Sequence, residues 1–307
     1  KTGIGFALGT WGGGGGPACK VEVRIAPDGT VEVLSGTQDL GTGTRTYCAT
    51  IVAEELGLEL HQVHARIGRS TYGPANASGG STTAASLAPA VKHAAWNAKN
   101  AVFEKVGAIL GVPVERLAVG GNLIFDSTNP DTFIGWKDAC ALFGPQGHSV
   151  QGEWQGHLAS GGVGGAQAAK VQIDTLTGEI KVLRMVCVQN CGLVLNGLTA
   201  RSQANGGMVQ ALSYGLFEER VIEPDLGLVL NANFEDYKIA GAKEIPEMLV
   251  VFEDEDLRGV IGIGEPVVIP GHGAIANAIA NACGVRLREM PLTCDKLLDA
   301  LTAQKKG

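Results

Sequence analysis

Four short stretches of the 307-residue sequence carry residue types and spacings that suit chemistry. The first is Gly36-Thr37-Gln38-Asp39-Leu40-Gly41-Thr42-Gly43-Thr44-Arg45-Thr46. A strand end that passes through glycines into a helix leaves backbone N–H groups free at the positive end of the helix dipole. Such a place can receive a phosphate or diphosphate. Thr42, Thr44 and Arg45 add donors, although a glycine turn capped by Thr44 is also a common structural device. The stretch lacks the Gly-Lys-Ser/Thr ending of a P-loop and the third glycine of a dinucleotide fingerprint. The second stretch, Asn76 to Thr83, offers Gly79, Gly80, Ser81, Thr82 and Thr83 at the start of another helix. Two anion-ready helix ends, each shortly after a strand, suit an extended polar ligand lying across both.

The third stretch is Gly262-Ile263-Gly264-Glu265-Pro266. Pro266 turns Glu265 away from helical backbone, and the flanking glycines leave its carboxylate unshielded. Burial there would suit a general base; the alternative is a solvated turn. The fourth is Gln203 and Gln210, two helical turns apart on one face, with amides that could serve a polar ligand or an ordinary interface. Cys187-x3-Cys191 has no second pair or neighbouring His, which disfavours zinc. His61 and His64 have no carboxylate or Cys partner in the sequence and read as surface residues, and no G-x-S-x-G nucleophile elbow occurs. His148 and His157 receive no role.

The elements that must position these residues follow from periodicity. Residues 19–25 and 31–34 alternate in polarity about a Pro27-Asp28-Gly29 turn, which predicts a β-hairpin. The pattern returns at 169–173 and 179–184. Each hairpin leads through a glycine-bearing loop into a helix, over 44–56 and 198–219. Further helices are expected at 86–110, 136–143 and 272–283, and single strands at 63–67 and 247–252. The resulting class is α+β, in two similar lobes, 1–160 and 161–307, each a hairpin-containing sheet packed with long helices. The boundary falls near the glycine cluster 161–165. Gly12 to Gly16, where no side chain prevents close backbone approach, reads as a junction.

Composition narrows the functions. The formal charge is −7, from 31 acidic and 24 basic residues, and the basic cluster is confined to Lys305 and Lys306, so nucleic-acid binding is not expected. The 45 glycines follow no Gly-X-Y period, and 45% of residues are hydrophobic, which excludes collagen and disorder. Seven scattered cysteines suit a reducing, cytoplasmic setting rather than a disulfide scaffold. No apolar run is long enough to span a membrane, and no leader pattern opens the chain. It starts at Lys1 rather than Met, which suggests a processed piece or an absent N-terminal part.

Taken together, Asp39-Leu40-Gly41-Thr42-Gly43, Ser78-Gly79-Gly80-Ser81-Thr82, Gln203 to Gln210 and Gly264-Glu265-Pro266 resemble, in order and spacing, the molybdenum-binding large subunit of the xanthine oxidase and aldehyde oxidoreductase family. The resemblance covers essentially the whole chain and corresponds to the C-terminal half of that subunit. It implies that Glu265 is the catalytic base. It also implies that Gly41, Thr42, Gly43 and Thr44, Gly79, Gly80, Ser81, Thr82 and Thr83, and Gln203 contact molybdopterin or its phosphate. The metal would be held by the pterin dithiolene and not by the protein. Many members carry Gln where this chain has Thr42, a shorter residue without the amide.

The reaction so implied is hydroxylation of an aldehyde or N-heteroaromatic compound with water as oxygen source. Electrons would pass to iron–sulfur clusters, and in some members FAD, on partner chains, and a further partner would carry the N-terminal half of the molybdenum subunit. Substrate, pterin form (mononucleotide or cytosine dinucleotide), electron acceptor and compartment stay open, a periplasmic location being reachable through a partner's signal. Two rival readings are a scaffolding lobe of a multi-chain complex and a metal-free enzyme for a phosphorylated ligand. The second is disfavoured because Arg45 and Arg69 are the only basic residues near the loops.

Overall fold

The computed structural model describes residues 1–253 and 257–306. It opens with a strand, β1 (Thr2–Trp11), in a segment that the alternation reading leaves out. The first expected hairpin forms as β2 (Lys20–Ile25) and β3 (Val31–Ser35). Val21, Val23, Ile25, Val31 and Val33 are buried on one face, as a period of two requires. Gly29 closes the turn at φ 90°, and Asp28 accepts the Thr30 N–H at 3.0 Å. Helix α1 (Thr44–Leu56) then crosses over to β4 (Val63–Ile67), which pairs parallel with β3. Helix α2 (Thr83–Leu110) follows. It starts three residues earlier than expected because the Ser86 hydroxyl and N–H both bond back to the Thr82 carbonyl.

A small meander, β5 (Leu117–Gly120), β6 (Leu123–Asp126) and β7 (Asn129–Gly135), comes next, with α3 (Trp136–Ala141) and β8 (His148–Glu153). The meander strands are short and mostly half-buried or exposed, so the sequence carries little alternation to mark them. β8 completes a sheet of order β4-β3-β2-β8. An alanine-rich face of α2 lets it lie directly on this sheet: a Cβ on Gly152 of β8 would come within 2.3 Å of the Ala94 nitrogen. Between α1 and α2, the buried Glu55 carboxylate takes ion pairs from Lys92 and Lys99.

The second unit repeats the plan. The hairpin β9 (Val163–Ile173) and β10 (Ile180–Asn190) leads into α4 (Gly197–Leu216). A connection with the two-residue strands β11 (Ile222–Glu223) and β12 (Leu228–Val229) returns the chain to β13 (Glu247–Glu253), parallel to β10. Helices α5 (Gly271–Cys283) and α6 (Cys294–Lys306) close the chain. α4 ends at Leu216, short of the expected Glu219, because Phe217 leaves helical backbone at φ −130°.

The second sheet has the order β1-β9-β10-β13. Both sheets are therefore an antiparallel hairpin, a helical crossover to a parallel third strand, and a fourth strand antiparallel to the first. That fourth strand differs in origin. β8 follows its unit, whereas β1 arrives from the far N-terminus, ahead of the first lobe, and α5 rides on it so closely that a Cβ on Gly5 would lie 2.2 Å from the Ala278 nitrogen. A single cut at residues 160/161 would separate β1 from its sheet. The glycine cluster 161–165 is itself partly strand, since β9 begins at Val163.

Candidate active site

The repeated plan has one geometric consequence. In both sheets the C-terminal ends of the parallel pairs, β3 with β4 and β10 with β13, run out into loops that face a shared cleft of about 360 Å³. The ends of parallel strands are where open sheets commonly take ligands. All four stretches marked in the sequence contribute, through Thr42 and Thr44, Gly79, Ser81 and Thr83, Gln203, and Gly264 with Glu265. Gly41, Gly43, Gly80 and Thr82 shape the loops without lining the cleft. Gln210, expected on the same helix face as Gln203, is exposed and outside it.

Glu265 stands at the base of the loop before α5. Its Oε2 accepts from the Ser81 hydroxyl at 2.8 Å, and the same Ser81 Oγ accepts the Glu265 N–H at 2.8 Å. Ser81 adopts φ 61°, a backbone region costly for a residue with a side chain. The next turn is equally constrained: a Cβ on Gly262 would meet the Ser81 carbonyl oxygen at 1.6 Å. Glu265 is exposed to the cleft, so the burial that the sequence argument made a condition for a base is not met within this chain.

Three side chains hold the backbone around Glu265. Gln203 donates its amide to the Gly264 carbonyl. Gln167, buried, donates to the Val267 carbonyl. Tyr214 donates to the Val268 carbonyl at 3.2 Å and its oxygen lies 2.7 Å from His272 Nδ1. Gln203 thus holds the Glu265 loop through its amide nitrogen and also lines the cleft. Burial holds His272 below its usual range and pushes the Tyr214 phenol up. Sequence reasoning missed Gln167, Tyr214 and His272 because the first two act across more than fifty residues on backbone carbonyls and His272 meets the Tyr214 hydroxyl 58 residues away, which leaves no local pattern.

The two helix starts are not equivalent. At α1, Asp39 accepts the N–H groups of Gly41 at 3.0 Å and Arg45 at 3.1 Å and pairs with the Arg45 guanidinium at 3.4 Å. Burial opposes its charge, but these N–H groups, that of Thr44 and the Arg45 charge outweigh it and hold the carboxyl below the usual range. The positive end that the sequence offered to an anion is therefore partly taken by the chain's own carboxylate. The α2 start has no side-chain cap and no acid in its first turn. Thr82 turns its hydroxyl back to the carbonyls of Ala77 and Gly79, and the first-turn N–H groups remain without helical partners.

Tyr47 also lines the cleft from the first turn of α1. Its hydroxyl is buried without a hydrogen-bond partner among the described residues. Burial pushes the phenol well above its usual range, which the neighbouring Thr44 hydroxyl offsets only in part. An unsatisfied buried hydroxyl costs about 1–3 kcal/mol, which a polar ligand atom would recover. Opposite, Asn196 caps α4 by accepting the Thr199 N–H at 3.0 Å. The glycine run 12–16 joins the lobes here: Gly13 accepts the Gly262 N–H at 2.8 Å, and a Cβ on Gly15 would lie 2.1 Å from the Ala85 carbonyl oxygen. The Trp11 indole donates to the Gly80 carbonyl at 3.0 Å. Cys187 and Cys191 are both buried, and burial pushes the Cys187 thiol up to about 11. His61, His64 and His157 are exposed, and His148 stacks on Phe143 at 4.5 Å.

Residues 1–246 match a family model described as a molybdopterin cofactor-binding domain. The chain is 31% identical over 287 residues to the aldehyde oxidoreductase molybdenum-binding subunit PaoC of Escherichia coli K12, covering 91% of this chain and 38% of that subunit. It is 28% identical over 286 residues to the putative xanthine dehydrogenase molybdenum-binding subunit XdhA of the same strain, covering 89% and 38%. Among solved structures, CO dehydrogenase from Oligotropha carboxidovorans superposes with a TM-score of 0.86 at 23% identity, over 99% of this chain and 41% of that one. Quinoline 2-oxidoreductase from Pseudomonas putida 86 gives 0.85 at 22%, over 98% and 42%. These two likenesses show a common fold. The chain spans about two fifths of the length of the relatives it matches.

Proposed function

The chain belongs to the molybdopterin cofactor-binding family, and we propose that it forms one wall of a molybdenum hydroxylase active site acting on an aldehyde or N-heteroaromatic substrate. The observation that carries this reading is the convergence of four separate loops on one cleft with Ser81 bonded to Glu265. The cleft fits the cofactor. It presents the hydroxyls of Thr42, Thr44 and Thr83, the partnerless Tyr47 hydroxyl, and Gly79, where no atom stands within 4 Å of a Cβ position. The uncapped α2 start supplies N–H groups suited to a phosphate or to oxygen acceptors on the pterin.

When bound, the molybdenum cofactor supplies a two-electron acceptor, with partner iron–sulfur clusters, and a flavin where one is present, as the onward route. The chain's own residues do the rest. Glu265 acts as the general base that takes one proton from water as its oxygen replaces hydrogen on the substrate carbon; the electron pair of the broken C–H bond would go to that acceptor and the second proton to solvent. The hydrogen bond from Ser81 engages Oε2 of a carboxylate that lines the cleft. The Gln203, Gln167 and Tyr214 bonds to the backbone of 264–268 keep the carboxylate from moving with the loop. The exposure of Glu265 fits a site whose other wall comes from the remainder of the molybdenum-binding subunit, which would exclude water from the carboxylate.

The test is elemental analysis for molybdenum, with the released pterin identified, on the native assembly purified through this chain. Near-stoichiometric metal with a pterin is the expected result, and its nucleotide would show what the loops hold. An assembly with all partner chains but neither metal nor pterin would overturn the proposal in favour of a scaffolding or metal-free role.

A further inference from the structure

The second sheet is apolar on both faces, and among the described residues only one face is covered. On the covered side, Val171, Val182, Met185, Cys187 and Val250 are buried in the core that includes α4 and α5. On the other side the register lines up two ranks across all four strands. One rank is Leu8, Ala166, Val188 and Val251; the next is Phe6, Ala168, Val186 and Leu249. Ile4, Phe6 and Leu8 are 61%, 68% and 73% exposed, and Val188, Leu249 and Val251 are exposed as well. The rank beyond Phe6 changes character, pairing Ile4 with Lys170, Arg184 and Glu247. A strand such as β10, apolar on both sides through 185–188, is the pattern of a sheet buried on both faces, and a contiguous apolar patch of this kind is uncommon on a free surface.

We infer that this face docks the portion of the molybdenum-binding subunit that this chain does not span. The relatives supply the argument for that occupant. Each carries this two-lobed unit as a minor part of a subunit whose larger part lies outside the match, so a large polypeptide accompanies the unit in each of them. The position agrees. β1 runs from the apolar block to Trp11, whose indole holds the Gly80 loop at the cleft, so block and cleft are joined along one strand. The face has little polar content within the block, which suits a permanent, core-like interface rather than an exchangeable one. The charged rank of Lys170, Arg184 and Glu247 marks its edge, where a polar rim belongs.

This inference rests on the proposed function for its partner but not for its surface, and one experiment separates the two. A photo-crosslinking amino acid replaces Phe6 in the native assembly, with the same residue at exposed Trp96 on α2 as a control, and molybdenum is measured on the same sample. The expected product is a covalent adduct from position 6 to polypeptide that corresponds to the unmatched part of the relatives' subunit. An adduct to a second copy of this chain, to another kind of subunit, or none at all would overturn the inference. Metal without the adduct would leave the cofactor reading standing alone; the adduct without metal would do the reverse. A Phe6→Lys, Leu8→Lys variant provides the second measurement. Both side chains point away from the core, so its thermal unfolding should match wild type while association weakens roughly 100-fold, as for loss of an interface centre.

Discussion

Ser81 and Glu265, separated by 184 residues, share two hydrogen bonds through one oxygen: Ser81 Oγ donates to the carboxylate and accepts the Glu265 N–H, each at 2.8 Å. The pair links the start of α2 in one lobe to the loop before α5 in the other. It is maintained by a serine in left-handed backbone at φ 61°.

Ser81→Ala keeps the backbone strain and loses both bonds. It should lower stability by about 1 kcal/mol and let the carboxylate wander, at a cost of up to about 100-fold in turnover of the complete enzyme. Ser81→Gly relieves the strain, so its urea midpoint should lie near wild type while its turnover falls like that of the alanine variant. Equal turnover in wild type and both variants would show that the pair is structural only.

Glu265→Gln removes the base and preserves the shape. Cofactor content should be unchanged and turnover should fall by about 10²–10⁴-fold, the usual contribution of general-base catalysis. Normal turnover in a fully loaded Glu265→Gln enzyme would sink the assignment.

Glycine positions in the cleft loops should differ sharply. At Gly262 a Cβ would lie 1.6 Å from the Ser81 carbonyl oxygen, a backbone atom that cannot swing aside. Gly262→Ala should cost about 3 kcal/mol and separate Ser81 from Glu265. Gly41, at φ 97° with no atom within 4 Å of a Cβ position, meets only conformational strain, about 1 kcal/mol when substituted by Ala. Denaturant unfolding of the two variants side by side reads the difference, and equal losses would count against the close-packed loop contact.

The Tyr214–His272 pair makes stability depend on pH. Burial holds His272 below its usual range, so the folded protein keeps the imidazole neutral at pH values where the unfolded chain, near 6.5, has begun to protonate. The unfolded state then binds more protons, and stability falls as pH drops from about 6.5 through the lower folded value, below which the loss is constant. Urea midpoints measured from pH 8 to 5 should show this decline in wild type and lack it in His272→Asn. Tyr214→Phe should cost about 1 kcal/mol throughout, from the lost bond to the Val268 carbonyl. Parallel profiles for wild type and His272→Asn would show that another group governs the slope.

Local patterning determined a good deal of this protein. The alternation at 19–34 specifies the first hairpin because each second residue must face the core, and the same rule marks the second hairpin. The stretches around Gly41, Ser81 and Glu265 announce themselves by glycines next to polar residues at element starts. Elements without strong patterning were not legible. β1 alternates around glycines that pack on α5 and apolar residues that face outward, so its burial pattern inverts the usual reading. The short strands of the 117–135 meander bury too little to show a period, whereas α6 does carry Leu297, Leu298 and Leu301 at helical spacing, a pattern the sequence reading leaves unused.

Only the tertiary structure decided what the marked residues do together. The two crossovers bring the C-terminal ends of β3, β4, β10 and β13 to one cleft, which makes four sequence-distant loops into one site. No local rule places Ser81 on Glu265, gives the α1 start to Asp39, turns the Gln203 amide onto the Gly264 carbonyl, or leaves the Tyr47 hydroxyl without a partner. These are long-range contacts, fixed by how two sheets and their helices pack, and such packing is written in the whole sequence rather than in any window of it.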